Sequence, residues 1–145
     1  MIDIIQNHEV ALFGIFNSEN YARELQYNLA FHQKICFTFL DIHKQIEYLR
    51  ESQGWVIIYS MSGEYVLDNG YSRYYGILKA LKESQAHIVV ITCQPKVATL
   101  DYIDEVVMIH SKHGYHSYLV HCLNDWILAS YIKRNKQFPK VGNKN

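Results

Sequence analysis

Ser60 and Ser62 stand in the stretch Ser60-Met61-Ser62-Gly63-Glu64, directly after the apolar run Trp55-Val56-Ile57-Ile58-Tyr59. Two hydroxyls and several main-chain N–H groups presented by one turn suit a phosphate, because they donate hydrogen bonds without needing a metal. Glu9-Val10-Ala11-Leu12-Phe13 is an earlier run of the same kind. Gly14 breaks it, and Asn17-Ser18 precede a helical pattern in which Ala22, Leu25 and Leu29 recur. Ser18 reads as the N-cap of that helix, or as a second phosphate contact; the two roles are compatible. Ser60 and Ser62 carry the same duality, since serine hydroxyls also satisfy nearby backbone groups in turns.

Other residue types carry weaker signals. His110, His113, His116 and His121 lie in one region, and His113 and His116 are spaced to share a helix face. No carboxylate or cysteine completes a ligand set at close spacing, so neither metal nor cofactor is expected. A histidine of this region, or Glu64, suits the proton transfer between adjacent carbons that an aldose–ketose isomerisation requires. Glu64 equally suits a purely structural place in its loop. Asp41 lies at a strand-to-helix junction and reads as an N-cap. A phosphoacceptor role for Asp41 would need an acidic pair after the first strand, where the chain has Ile15-Phe16-Asn17. Cys36, Cys93 and Cys122 are odd in number and unclustered, which fits buried free thiols in a reducing cytoplasm.

The elements that must position these residues alternate along the chain. Strands are expected near 9–14, 35–40, 55–60, 87–92 and 105–110. Helices are expected near 18–32, 42–52, 72–85, 97–103 and 115–135. This alternation implies a parallel sheet with helices on both faces. The strands read as continuous apolar runs, as doubly covered strands do. Gly63 is expected to end the third strand. The expected fold is therefore α/β, a three-layer sandwich on a five-stranded parallel sheet with flavodoxin-like topology. In such open sheets ligands bind at the carboxyl ends of the strands, where both serine-bearing turns fall.

Composition bounds the partners. The 145 residues suit one domain, and the formal net charge of zero gives no general attraction to DNA or membrane. No run approaches a membrane span, and no signal peptide is visible. Residues 1–135 read as the domain and residues 136–145 as a basic, poorly ordered tail. Lys133, Arg134, Lys136, Lys140 and Lys144 gather around Pro139 and Gly142, as a solvated end would. Tyr71, Tyr74 and Tyr75 crowd one segment, and Tyr115 and Tyr118 another; such rings suit a half-buried surface or a subunit interface. Ile2, Ile4 and Ile5 look like the last turn of a helix that began earlier, so Met1 reads either as a boundary within a longer protein or as a true start.

The motifs resemble the SIS (sugar isomerase) domain, in particular the version in RpiR-type bacterial transcriptional regulators. Gly14-Ile15-Phe16-Asn17-Ser18 is similar to that family's Gly-x-Gly-x-Ser before a helix. Ser60-Met61-Ser62-Gly63-Glu64-Tyr65 is similar to its Ser-x-Ser-Gly-Glu-Thr. Ala86-His87-Ile88-Val89-Val90-Ile91-Thr92 and Asp104 match its later text, and the resemblance spans about residues 9–135. Three departures stand out. Phe16 replaces the second glycine, Tyr65 replaces the threonine, and Val66 to Tyr75 is longer than usual, as a lid or a surface loop. Glu19 adds a carboxylate near a phosphate-facing helix start, costing on the order of 1 to a few kcal/mol against charge-assisted hydrogen bonds of roughly 1.5–3 kcal/mol each.

The resemblance implies a phosphosugar-binding, effector-sensing domain that pairs into homodimers. By carry-over, Ser18, Ser60 and Ser62 would contact phosphate, and the amides of Gly63 and Glu64 would help; Asn17 and Tyr65 join the expected site. DNA would be reached only through a helix-turn-helix part, for which this chain shows no candidate. Two alternatives stay open: a phosphosugar isomerase using Glu64 or a histidine, and a dimerisation module with a degenerate pocket.

Overall fold

The computed structural model describes residues 1–111 and 116–137. A short helix α1 (Ile2–Asn7) leads into β1 (Val10–Gly14) and α2 (Asn17–Phe31). Then come β2 (Phe37–Thr38), α3 (Ile42–Glu51), β3 (Trp55–Tyr59), α4 (Gly70–Tyr74), α5 (Ile77–Glu83) and β4 (His87–Thr92). A 3-10 turn (Pro95–Thr99), β5 (Glu105–Met108) and α6 (His116–Gln137) follow. The five strands pair in parallel in the order β2-β1-β3-β4-β5. The expected doubly wound α/β sheet is thus present. Its winding reverses between β1 and β3, the switch point where such sheets open a crevice.

Side chains of the central strands alternate between two cores. Val10, Leu12, Ile57, Tyr59, Val89 and Ile91 face α1, α2 and α6, meeting Ile5, Leu25, Leu29, Val120 and Ile127. Ala11, Phe13, Val56, Ile58, Ile88 and Val90 face α3 and α5, meeting Ile46, Leu49, Ile77 and Leu81. Both faces are covered, so these strands are apolar at almost every position rather than at every second one.

The structure departs from expectation where local chemistry intervenes. The strand expected over 35–40 shrinks to two residues at the sheet edge, where β1 alone pairs with it. Gln26 of α2 holds it, donating to the Cys36 carbonyl (2.9 Å) and accepting from Thr38 Oγ1 (2.8 Å). The helix expected over 72–85 is two helices, because Gly76 adopts a left-handed φ of 72° between α4 and α5. The helix expected over 97–103 is the 3-10 turn, opened by Pro95. β3 ends at Tyr59, before Gly63. Asp41 does cap α3, accepting from the His43 N–H at 2.7 Å. Asp104 accepts from the Ile88 N–H at 2.7 Å, fixing the chain before β5.

α6 runs to Gln137, past the start of the expected tail, and its Arg134 pairs with Asp3 of α1. His113 and Tyr115, and Pro139, Lys140, Gly142 and Lys144 of the tail, lie outside the described residues. Among the described residues, no helix is long and apolar enough to cross a membrane.

Of the three thiols, Cys36 is buried before β2, Cys93 is half-buried after β4, and Cys122 is exposed on α6, so the expectation of uniform burial is corrected. Burial pushes the Cys36 thiol up to about 11 from an ordinary 9.0, against a smaller opposing effect of Lys34. Between these values the unfolded chain releases a proton that the folded chain keeps, so stability falls as pH rises through this window. The loss from Cys36 should be roughly 2–3 kcal/mol. Urea titrations at pH 8 and pH 11 should show Cys36→Ala losing that much less than the parent; equal losses would contradict the assignment.

Candidate functional site

The register of the sheet brings the two serine-bearing turns together. Gly14, the last residue of β1, lies opposite Tyr59, the last residue of β3. Segments more than forty residues apart in sequence therefore leave the sheet side by side.

Gly14 permits the first turn. A Cβ there would stand 2.5 Å from the Ser18 carbonyl oxygen and 2.8 Å from the Glu19 nitrogen, so the absence of a side chain lets α2 start against the strand end. Gln45 of α3 braces the same carbonyl end, donating to Gly14 O at 3.3 Å and to Phe39 O at 2.6 Å. Phe16 takes the cap position of α2 with φ 52° and ψ −129°, and no side chain caps the helix. Ser18 is therefore not the N-cap but the second helical residue, its N–H donating to Ile15 O at 3.0 Å. Gly14→Ala should cost about 1–3 kcal/mol, as overpacking against backbone does. Because the displaced atoms belong to the site, the variant should also bind any crevice ligand more weakly. A melt and a titration together check this; a variant that melts and binds like the parent would refute it.

The second turn is built from its own hydrogen bonds. Ser60 is 3 % exposed and its Oγ accepts from the Tyr65 N–H at 3.2 Å. The Gly63 N–H donates to Ser60 O at 3.0 Å, and the Glu64 N–H to Ser62 Oγ at 3.4 Å. These two amides, expected to assist a ligand, are thus engaged inside the turn. Gly63 has φ 80°, and a Cβ would press on Leu67 and Gln94. β4 latches the turn in place, the Cys93 N–H donating to Met61 O at 3.1 Å. The long segment after it is ordered by a short helix: Asn69 and Ser72 form a capping box for α4, and Asn69 Nδ2 donates to Glu64 O at 3.0 Å.

Between the turns lies a crevice of about 330 Å³, lined by Ile15, Phe16, Asn17, Ser18, Ser60, Met61, Ser62, Glu64 and His116. The structure thus gathers Asn17, Ser18, Ser60, Ser62 and Glu64 of the expected set, with Gly63 shaping the turn beneath them. Tyr65 is not among the walls. It is fully buried in the core facing α3 and α5, because the chain turns inward after Gly63. Burial raises its phenol above the ordinary range.

His116, the first residue of α6, is a wall that sequence reasoning did not single out among the four histidines. Its place depends on how α6 packs on α2. Asn124 of α6, 1 % exposed, accepts from Tyr59 Oη of β3 at 2.7 Å and donates to Tyr21 O (3.0 Å) and Glu24 Oε2 (2.9 Å) of α2. His121 pairs with Glu24 at 2.8 Å, and His110 is exposed beyond β5. Among the described residues, no group of three or more metal-ligating side chains gathers.

The walls carry no basic side chain, so an anion here would be held by neutral donors and helix ends. α2 and α6 both present their N-terminal residues, where the partial positive charge of a helix lies. Glu19 lies within 3.5 Å of Arg23, which offsets part of its repulsion. The hydroxyl chemistry also fits. A serine Oγ that accepts a main-chain N–H keeps its own proton to donate, so the turn bonds of Ser60 and Ser62 orient those protons rather than consume them. Larger clefts occur elsewhere, including one of about 490 Å³ beside Phe31 and Tyr131, but they lie away from the strand ends that carry the hydroxyls.

No family model and no curated protein matches the sequence. Solved structures do resemble the fold. The Vibrio vulnificus NanR protein complexed with ManNAc-6P superposes with a TM-score of 0.67 at 16% identity, over 94% of this chain and 53% of that one. The chain therefore spans about half the length of NanR. The sugar isomerase domain of the RpiR transcription factor from Sphaerobacter thermophilus gives 0.68 at 15% identity, over 94% of this chain and 76% of that one. E. coli CFT073 c3406 in complex with arabinose-5-phosphate gives 0.69 at 18% identity, over 97% and 78%. The doubly wound sheet and its helices therefore have the fold of a sugar isomerase (SIS) domain of the kind carried by RpiR-type transcription factors, as the two serine signatures led one to expect.

Proposed function

We propose that the crevice between the β1 and β3 ends binds the phosphate of a sugar phosphate, and that the chain senses this ligand without transforming it. The observation that carries this reading is the convergence of Ser18, Ser60 and Ser62 on one small crevice at the switch point of the sheet. The ManNAc-6P and arabinose-5-phosphate complexes of two proteins with this fold support the same ligand class. Ser18 and Ser62 donate to the phosphate oxygens, Ser60 donates from the floor, and Asn17 contributes from the first turn of α2.

The role that follows is that of an effector domain of an RpiR-like regulator, working in the cytoplasm. Its DNA-reading part would lie outside this chain. A ligand that binds one dimer arrangement better would shift the population toward it. The partner in this reading is a second copy. Tyr118 and Trp126 of α6 and Tyr27 and Phe31 of α2 are all more than half exposed, and α6 packs on α2. Trp126→Asp should leave a folded monomer in sedimentation where the parent is a dimer; a monomeric parent would remove the dimer from the reading.

Melting the protein with ManNAc-6P, arabinose-5-phosphate and inorganic phosphate tests the binding itself. A ligand at a hundred times its Kd stabilises by about 2.7 kcal/mol. No shift with any of them would favour a module whose pocket has degenerated. A second reading is favoured by Glu64 and His116 sharing the crevice, the pairing of acid and base that a phosphosugar isomerase needs. Turnover of a sugar phosphate that is lost in Glu64→Gln would establish it in place of sensing.

A further inference from the structure

Phe16 holds a backbone conformation that its side chain makes costly. Its φ of 52° with ψ of −129° is a region that residues with a Cβ rarely enter. Glycine would relieve the strain at this position. The aromatic ring does not repay it by burial, since it is 68% exposed. The ring instead stands at the crevice wall, braced on one side by Tyr71 of the α4 segment at 5.6 Å between centroids. Tyr71 in turn packs on Tyr75 at 4.8 Å, and Tyr75 reaches His43 of α3 at 6.5 Å. The exposed ring is thus the end of an aromatic row that fixes its position.

We propose that Phe16 is a specificity-determining residue of this crevice, an aromatic shelf on which the sugar ring of a phosphorylated ligand lays its apolar C–H face. The proposal rests on the phosphate-binding reading above. The serine hydroxyls and helix ends grip the phosphate, which is common to every ligand of the class. The shelf adds what a bare phosphate cannot use: an apolar surface whose negatively polarised face attracts C–H groups. A strained turn is retained at a site when its geometry serves a ligand, and here it aims a ring rather than opening a space. The long segment after β3 acquires a part in the same device, because α4 supplies the Tyr71 brace.

Calorimetric titrations of the parent, Phe16→Ala, Phe16→Gly and Phe16→Tyr with ManNAc-6P, arabinose-5-phosphate and inorganic phosphate test this. In Phe16→Ala and Phe16→Gly, affinity for the sugar phosphate the parent binds should fall on the order of tenfold, with phosphate affinity unchanged. Phe16→Tyr, which keeps the ring, should bind like the parent. Phe16→Gly should melt no lower than Phe16→Ala, confirming that the loss is not unfolding. Unchanged or tighter sugar-phosphate binding in Phe16→Ala and Phe16→Gly overturns the shelf and leaves the phosphate site standing. Equal parent affinities for phosphate and sugar phosphate do the same. A parent that binds none of the three overturns the phosphate reading itself, and the shelf with it.

Discussion

A Ser18→Ala, Ser62→Ala double variant should keep the stability of the parent and lose sugar-phosphate affinity by roughly 10²–10⁴-fold. A hydrogen bond to a charged group contributes about 1.5–3 kcal/mol, and two are removed, while each 1.4 kcal/mol is tenfold in affinity. Stability should hold because neither hydroxyl supports the fold strongly. Ser18 is not the cap of α2, and Ser62 accepts one long, exposed bond from the Glu64 N–H at 3.4 Å. Ser60 is unsuited to the test. Its Oγ satisfies the buried Tyr65 N–H, so Ser60→Ala would cost roughly 1–3 kcal/mol of stability and mix folding with binding. A double variant that folds and binds as tightly as the parent would exclude these serines from phosphate contact.

Asn124→Ala should be among the most destabilising single changes in the domain, at about 3–4 kcal/mol. It strands the Tyr59 hydroxyl, which is fully buried, and removes the two donations to α2. An orphaned buried donor costs about 1–3 kcal/mol, and the small cavity adds to it. For a domain of this length the melting temperature should drop on the order of 10 °C. Replacing both partners with apolar groups, as Tyr59→Phe with Asn124→Leu, should recover much of the loss, since neither then lacks a partner. Equal melting of Asn124→Ala and parent would show that the buried network contributes nothing. Because Asn124 joins α6 to β3 and α2, the same variant should loosen the helix that carries His116 to the crevice.

The continuous apolar runs at 10–14, 55–59 and 87–92 determined the parallel sheet, because a strand covered on both faces needs no polar alternation. The residues Ser18, Ser60, Ser62 and Gly63 determined the kind of chemistry, since a left-handed glycine and flanking hydroxyls are local features of a turn. What lies between elements was decided by the tertiary structure. The register that sets Gly14 beside Tyr59 makes one crevice of two distant turns. The inward path after Gly63 buries Tyr65, which looked like a ligand contact from its place in the motif. The packing of α6 on α2 brings in His116, which sequence spacing could not choose from its neighbours. Turn type and burial pattern act over a few residues and are readable from them. The direction of a side chain at a shared crevice depends on strand register and helix docking, which are fixed by contacts across the whole chain.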